Sequence, residues 1–137
     1  MFRYLHRLLT GTPHWIRTAV WLTCLAGAFT ATHIPPPSKP LPFTPNDKLL
    51  HFVGFAGLGL LTAWQAASGR SAPASRKVAA WFLALIAYGA LDELSQPIAG
   101  RSCELGDWLA DCGGAAVGII ALTLYFLRSA PAENEQP

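Results

Sequence analysis

Ionisable side chains are concentrated at a few positions of a chain that otherwise carries little charge. Six of the eight acidic residues lie at the ends of long apolar stretches or in the loop between the last two stretches: Asp47, Asp92, Glu93, Glu104, Asp107 and Asp111. The same segments contain one imidazole, one amide and two fixed cations, which are His51, Gln96, Lys48 and Arg101. We call these ten residues the polar layer. Such side chains could transfer protons, bind an anionic group or hold a divalent cation.

Helical spacing places these residues on shared faces. Residues three or four positions apart lie on one side of a helix, so Asp47 faces the same way as His51, and Glu93 the same way as Gln96. Positions 107, 111, 114 and 118 form another stripe. Because a carboxylate within a membrane is costly, these stripes are expected to meet inside a helix bundle.

The composition is typical of an integral membrane protein. Of 137 residues, 52% are hydrophobic and 13% are charged, against about 25% charged residues in a soluble domain. The net charge of +2 is too small to predict nucleic-acid binding. Three cysteines without metal-ligand spacing argue against a disulfide scaffold or a zinc ribbon. The length predicts one domain.

Four stretches are long and apolar enough to cross about 30 Å of hydrocarbon as helices. They cover residues 18–34, 49–67, 78–98 and 105–127. The sequence therefore predicts an all-α fold, an integral membrane bundle of four transmembrane helices. Thr44, followed by Pro45 and Asp47, is typical of a helix start, with Thr44 as the N-cap. The first stretch contains no acidic residue, so we expect it to be peripheral.

Basic residues predict the orientation of the bundle. Seven Lys and Arg residues lie on one side of the predicted spans: Arg3, Arg7, Arg17, Arg70, Arg76, Lys77 and Arg128. The opposite side carries three, which are Lys39, Lys48 and Arg101. This bias predicts that the N- and C-termini are cytoplasmic. A signal peptide cleaved near Ala31 is the alternative for the N-terminal segment.

Three sequence motifs resemble those of VanZ-like membrane proteins. The first is the run 47–52 (DKLLHF) before a glycine-rich stretch, and the second is 92–96 (DELSQ) followed by Gly100 and Arg101. The third is 107–111 (DWLAD) followed by Gly114. The run from Pro97 to Arg101 is longer than the family's Pro-Gly-Arg turn, and Asp111 stands where many members have Asn.

The resemblance implies one VanZ-like membrane domain over residues 1–137, with its core motifs in 44–127 and the span 18–34 at the periphery. The family's namesake lowers susceptibility to the glycopeptide antibiotic teicoplanin, so the resemblance links this chain to the cell envelope and implies a location in a bacterial inner membrane. It names no biochemical activity. The sequence therefore leaves open whether the protein is an enzyme.

Two hypotheses of different classes follow from the polar layer. In the first, a site on the extracytoplasmic side acts on or binds a lipid-linked envelope precursor or another anionic head group, with the bilayer as the protein's surroundings. His51, Glu93 and Asp107 would then be catalytic, and Lys48, Gln96 and Arg101 would bind the ligand. A divalent cation is a possible cofactor, held by Asp92, Glu93, Asp107 and Asp111.

In the second hypothesis, the protein is a non-catalytic scaffold whose charges only lock the helices together. The layer has six carboxylates against two fixed cations and one histidine. This surplus of acid favours protonated carboxylates or a bound cation, and hence a ligand or ion site. Proton conduction is a weaker third option, because no residue of the first span continues a proton relay toward the cytoplasm.

Overall fold

A computed structural model of the chain describes residues 2–35, 46–67 and 75–129. These residues form five α-helices and one short 3-10 helix, with no strand among them. The helices are α1 (Phe2–Gly11), α2 (His14–Thr32), α3 (Asp47–Ala66), α4 (Ser75–Ser95), the 3-10 helix (Gln96–Ala99) and α5 (Leu105–Ser129). The prediction of an all-helical fold is confirmed.

Three helices in the described part of the chain are long and apolar enough to cross a membrane. They are α3, α4 together with the 3-10 helix, and α5, which match the second, third and fourth predicted spans. The first predicted span corresponds to α2, which has 19 residues and is not one of these three. The helix α1 was not predicted.

The start of α3 differs from the prediction. Thr44 and Pro45 lie outside the described residues, and the helix begins at Asp47 with Asn46 as its N-cap. The Asn46 side chain accepts a hydrogen bond from the backbone N–H of Leu49 at 3.4 Å. Asparagine is among the best N-cap residues, so it takes the position that the sequence had suggested for Thr44.

Glycines bring α3 and α5, which run parallel, into close contact. A Cβ atom on Gly114 would overlap the carbonyl oxygen of Phe52, and one on Gly118 would overlap that of Ala56. A Cβ atom on Gly59 of α3 would in turn overlap the backbone of α5. We call Gly59, Gly114 and Gly118 the glycine seam. Small residues permit this approach of two membrane helices, which gains van der Waals contact along their length.

The helix α2 lies along α3 and α4 from one end of the bundle to the other. At its start, Arg17 donates to the carbonyl oxygen of Ala67 at 2.8 Å. Near its middle, the indole N–H of Trp21 donates to Thr62 at 2.9 Å. At its end, Thr32 donates to Asp92 at 2.9 Å. The end of α2 therefore reaches the same depth as the polar layer.

The 3-10 helix turns the chain back over the end of α4. Pro97 lies in its first turn, and it ends at Gly100, whose φ of 74° lies in the left-handed region that glycine adopts readily. The backbone N–H of Arg101 then donates to the carbonyl oxygen of Gln96 at 3.2 Å. This turn places Arg101 above the end of α4 and leads the chain into α5.

Candidate functional site

The centre of the site is a histidine between two carboxylates, one from each neighbouring helix. His51 Nδ1 lies 2.9 Å from Asp111 Oδ1 and 3.7 Å from Glu93 Oε1. The three side chains come from α3, α5 and α4, and none is more than 4% exposed. His51 lies about one turn from the start of α3, and Asp111 lies about two turns from the start of α5. Both helices begin at the same end of the bundle, so the two side chains lie at a similar depth.

Glu93 is held in place by two further hydrogen bonds. The amide of Gln96 donates to Glu93 Oε1 at 2.7 Å, and the backbone N–H of Glu104 donates to Oε2 at 3.1 Å. Asp111 differs, because its Oδ2 is buried and has no hydrogen-bond partner among the described residues. That oxygen faces Gly89, where a Cβ atom would lie 3.2 Å from it.

The two fixed cations, Lys48 and Arg101, lie above this centre together with the carboxylates that they contact, and we call this group the rim. Lys48 Nζ lies 2.9 Å from Glu104 Oε2 and 3.1 Å from Asp107 Oδ1. The hydrogen bond from Lys48, followed by one from the Ser102 hydroxyl, lowers the pKa of Glu104. Each predicted anion-binding cation therefore already contacts a carboxylate, because Arg101 Nη2 also donates to Asp47 at 2.9 Å.

Asp92 lies apart from the central histidine and contacts α2 instead. Its Oδ1 accepts from Thr32 at 2.9 Å and lies 3.7 Å from His33 Nδ1. His33 Nε2 in turn lies 3.0 Å from the hydroxyl of Ser95. These three neighbours were missed by the sequence analysis. Only the place of Thr32 and His33 in the sequence indicated a contact with the polar layer, because they come just before the prolines that end the first predicted span.

Two overlapping groups of side chains have the geometry of metal ligands. One contains His51, Glu93 and Asp111, all buried, and the other contains Asp47, His51 and Asp107. Within each group the ligand atoms lie within 4.8 Å of one another. Three of the four predicted metal ligands are thus placed near His51, whereas Asp92 belongs to neither group.

The polar layer as a whole converges at one end of the bundle. The structure brings together the ten residues from α3, the end of α4, the following loop and the start of α5. Gln96 connects the centre with the rim, because its amide nitrogen donates to Glu93 while its oxygen lies 3.4 Å from Arg101 Nε. Such an arrangement could bind a cation, transfer a proton through His51 or fix the three helices relative to one another.

Comparison with known proteins identifies a family. The sequence model of the VanZ/LLP1 family matches residues 5–127, which include every described residue of the polar layer. No curated protein matches the chain, and no solved structure does. Since the match covers well over half of the sequence, this chain belongs to the VanZ/LLP1 family.

Proposed function

We propose that the polar layer binds a divalent cation through His51, Glu93 and Asp111, and that this cation binds an anionic, lipid-linked ligand of the cell envelope. The observation that carries the proposal is the distribution of charge. Four carboxylates of the layer are buried, and Asp107 is the one that pairs with Lys48. Among the described residues, the other three (Asp92, Glu93 and Asp111) form ion pairs with histidines and with no Lys or Arg. Buried carboxylates without a Lys or Arg partner need either a bound proton or another source of positive charge, and a divalent cation would supply that charge to several of them at once.

The central distances suit a metal ion. Ligand atoms that each lie about 2.1 Å from an ion are roughly 3 to 4 Å apart. The His51–Asp111 and His51–Glu93 distances of 2.9 and 3.7 Å lie near this range. One imidazole with two carboxylates is a set that Zn²⁺ and Mn²⁺ accept. The hydrogen bonds from Gln96 and from the Glu104 backbone would orient Glu93 toward the ion.

An ion with three protein ligands keeps open positions for oxygen atoms of a ligand. Phosphate oxygens are hard donors that would fill them, and the rim cations Lys48 and Arg101 would add charge at the entrance. Asp107, whose carboxylate belongs to the second group of ligand atoms, is the candidate proton acceptor in this proposal. The family's association with teicoplanin susceptibility directs the choice of ligand toward the cell envelope.

The same proposal includes four spans with both termini in the cytoplasm. It is supported by the seven-to-three bias of Lys and Arg, and by α2, whose contacts extend from Ala67 at one end of the bundle to Asp92 at the other. Reporter fusions after Lys39 and after Arg101 should read as extracytoplasmic, and a fusion after Ser129 as cytoplasmic. A cytoplasmic signal at Lys39 or Arg101 would reject this topology.

Direct cation binding tests the proposal. Purified protein in detergent should bind one Mn²⁺ ion per chain, measured as loss of the free-ion signal in electron paramagnetic resonance. Glu93→Gln should weaken binding at least about 10-fold, because it removes a ligand charge. Glu104→Gln is the matched control, since Glu104 belongs to the same layer but is exposed and paired with Lys48. Equal loss in both variants, or no binding by the wild type, would refute the proposal.

A scaffold function is the second candidate, and the closed rim favours it. Lys48 and Arg101 both contact carboxylates of a neighbouring helix or loop, as they would if the charges only held the helices together. Removing one partner of such a pair destabilises a protein because the other charge is left behind. A scaffold predicts that every variant that inserts and folds normally also keeps its function.

A further inference from the structure

A cavity of about 280 Å³ lies at the end of the bundle opposite the polar layer. It is located where the starts of α2 and α4 meet the end of α3. The side chains that line it are His14, Arg17, Gln65, Ala66, Ala67, Lys77 and Trp81. No carboxylate is among these lining residues of the described chain, and two of them, Arg17 and Lys77, are basic. We call it the basic cavity.

Arg17 provides a buried charge that has no acidic partner among the described residues. Only 7% of its surface is exposed, and its Nη1 donates to the carbonyl oxygens of Trp64 and Ala67 at 3.0 and 2.8 Å. These hydrogen bonds pair carbonyl groups at the end of α3 but do not neutralise the charge of the guanidinium. The Arg17 Nε finds no hydrogen-bond partner in the described ranges. A buried N–H of a charged group is costly to leave unpaired, so an anionic acceptor would be favourable here.

Gln65, which lines the same cavity, provides an acceptor that is unpaired among the described residues. Its amide nitrogen donates to the hydroxyl of Thr18 at 2.7 Å, which directs the oxygen Oε1 elsewhere. Gln65 is 5% exposed, and Oε1 has no donor among the residues that the structure describes. A hydroxyl group on the ligand would satisfy it. The cavity thus offers a cationic donor and a neutral acceptor, which suits a phosphate ester that also carries a hydroxyl.

The helix ends around the cavity add to its positive potential. Both α2 and α4 begin there, and neither has an acidic residue in its first turn. Helix N-termini carry a partial positive charge that favours bound anions. The N-cap of α2 is Pro13, which makes no side-chain capping bond.

We propose that the basic cavity binds a phosphate group that carries a free hydroxyl, of the phosphoglycerol class. The ligand could be the head group of an anionic membrane lipid or a free polyol phosphate. Trp15, which is exposed at the start of α2, and Trp81 in the cavity wall are residues that favour the membrane interface. This site lies at the other end of the bundle from the polar layer and does not depend on the function proposed there.

Lipid binding to the purified full-length chain tests the proposal. In a neutral detergent, phosphatidylglycerol should raise the thermal unfolding midpoint more than phosphatidylcholine does, since a ligand of the folded state stabilises it. Lys77→Gln should weaken this binding by about fivefold, as expected for one cation near an anionic group. Arg76→Gln is the matched control, because Arg76 is the neighbouring exposed cation and does not line the cavity.

Gln65→Glu provides a second variant that changes charge and hardly changes shape. It should weaken phosphatidylglycerol binding at least as much as Lys77→Gln, because the new carboxylate would repel the phosphate. Competition by free glycerol phosphate would identify a soluble ligand, and its failure beside phosphatidylglycerol binding would identify the lipid. The proposal is overturned if neither compound binds better than phosphatidylcholine, or if Arg76→Gln weakens binding as much as Lys77→Gln does.

Discussion

The same two helices, α3 and α5, meet in two different ways along their length. In the glycine seam their backbones touch, and the contact depends on shape alone. In the polar layer they meet through charged pairs, Lys48 with Asp107 and His51 with Asp111. The seam contains nothing that could react or bind a ligand. The glycine seam therefore stabilises the contact between α3 and α5 without the help of charges. A purely structural role would not require the surplus of carboxylates over cations that the polar layer carries.

A methyl group in the seam should have the largest effect on stability. Gly114→Ala would place a Cβ atom against the backbone of Phe52 and Ala56, neither of which can move independently of α3. We expect a loss of about 2 to 3 kcal/mol in the free energy of unfolding, as for other overpacked interiors. Chemical unfolding in detergent would measure it.

Gly113→Ala is the control for this prediction. Gly113 precedes Gly114 in α5, but its Cβ atom would lie 3.5 Å from the Phe52 ring, an ordinary contact. Its free energy of unfolding should stay within about 0.5 kcal/mol of the wild type. If both variants were equally stable, the glycine seam would not be a tight contact.

Arg101→Lys should separate function from stability within the polar layer. Arg101 contacts Asp47 through Nη2 and Gln96 through Nε, and a single ammonium group cannot reproduce both contacts. We expect normal expression and membrane insertion, a small loss of stability, and loss of the phenotype. The phenotype to measure is teicoplanin susceptibility of an expressing host, or complementation of a deletion strain.

The scaffold function makes the opposite prediction for the same variant. If Arg101 only neutralises charge, lysine should preserve the phenotype. Arg76→Lys is the matched control, because it makes the same exchange at an exposed arginine at the other end of the bundle that does not line the basic cavity. An Arg101→Lys variant that inserts normally and retains full function would favour the scaffold.

The pair between Lys48 and Glu104 should have the smallest effect. Glu104 is exposed, and its pKa is lowered in the folded protein by the hydrogen bond from Lys48. A lowered pKa stabilises the folded state above the unfolded pKa, which is about 4.3 for glutamate, and this contribution is lost as the pH falls through the folded value. The difference in stability between the wild type and Glu104→Gln should therefore be small at pH 7 and absent near pH 3. A difference that grew on acidification would contradict this.

The convergence of the polar layer could be predicted from the sequence, because depth and helix face follow from residue spacing. Glu93 and Asp111 lie near the ends of different spans, and lipid would penalise either of them on an outer face. The pairing partners could not be predicted in the same way. Whether Lys48 contacts Glu104 or a ligand depends on how α3 is rotated against α5, and the glycine seam sets that rotation through contacts between residues far apart in sequence.

The contribution of α2 was harder to predict for a different reason. Thr32 and His33 are two polar residues at a helix end, a pattern that is common wherever a helix leaves a membrane. Only the packing of α2 along α3 and α4 brings them to Asp92. The family's motifs do not help here, because the resemblance rests on residues from position 47 onward.

The central claim is that His51, Glu93 and Asp111 form a cation site, and thermal unfolding with and without the cation tests it most directly. A bound ion stabilises the folded protein by about 2.7 kcal/mol at 100 times its dissociation constant. Mn²⁺ or Zn²⁺ should therefore raise the unfolding midpoints of the wild type and of Glu104→Gln equally, and should raise that of Glu93→Gln by about half as much or less. An unchanged midpoint in the wild type, or an equal rise in all three proteins, would contradict the claim.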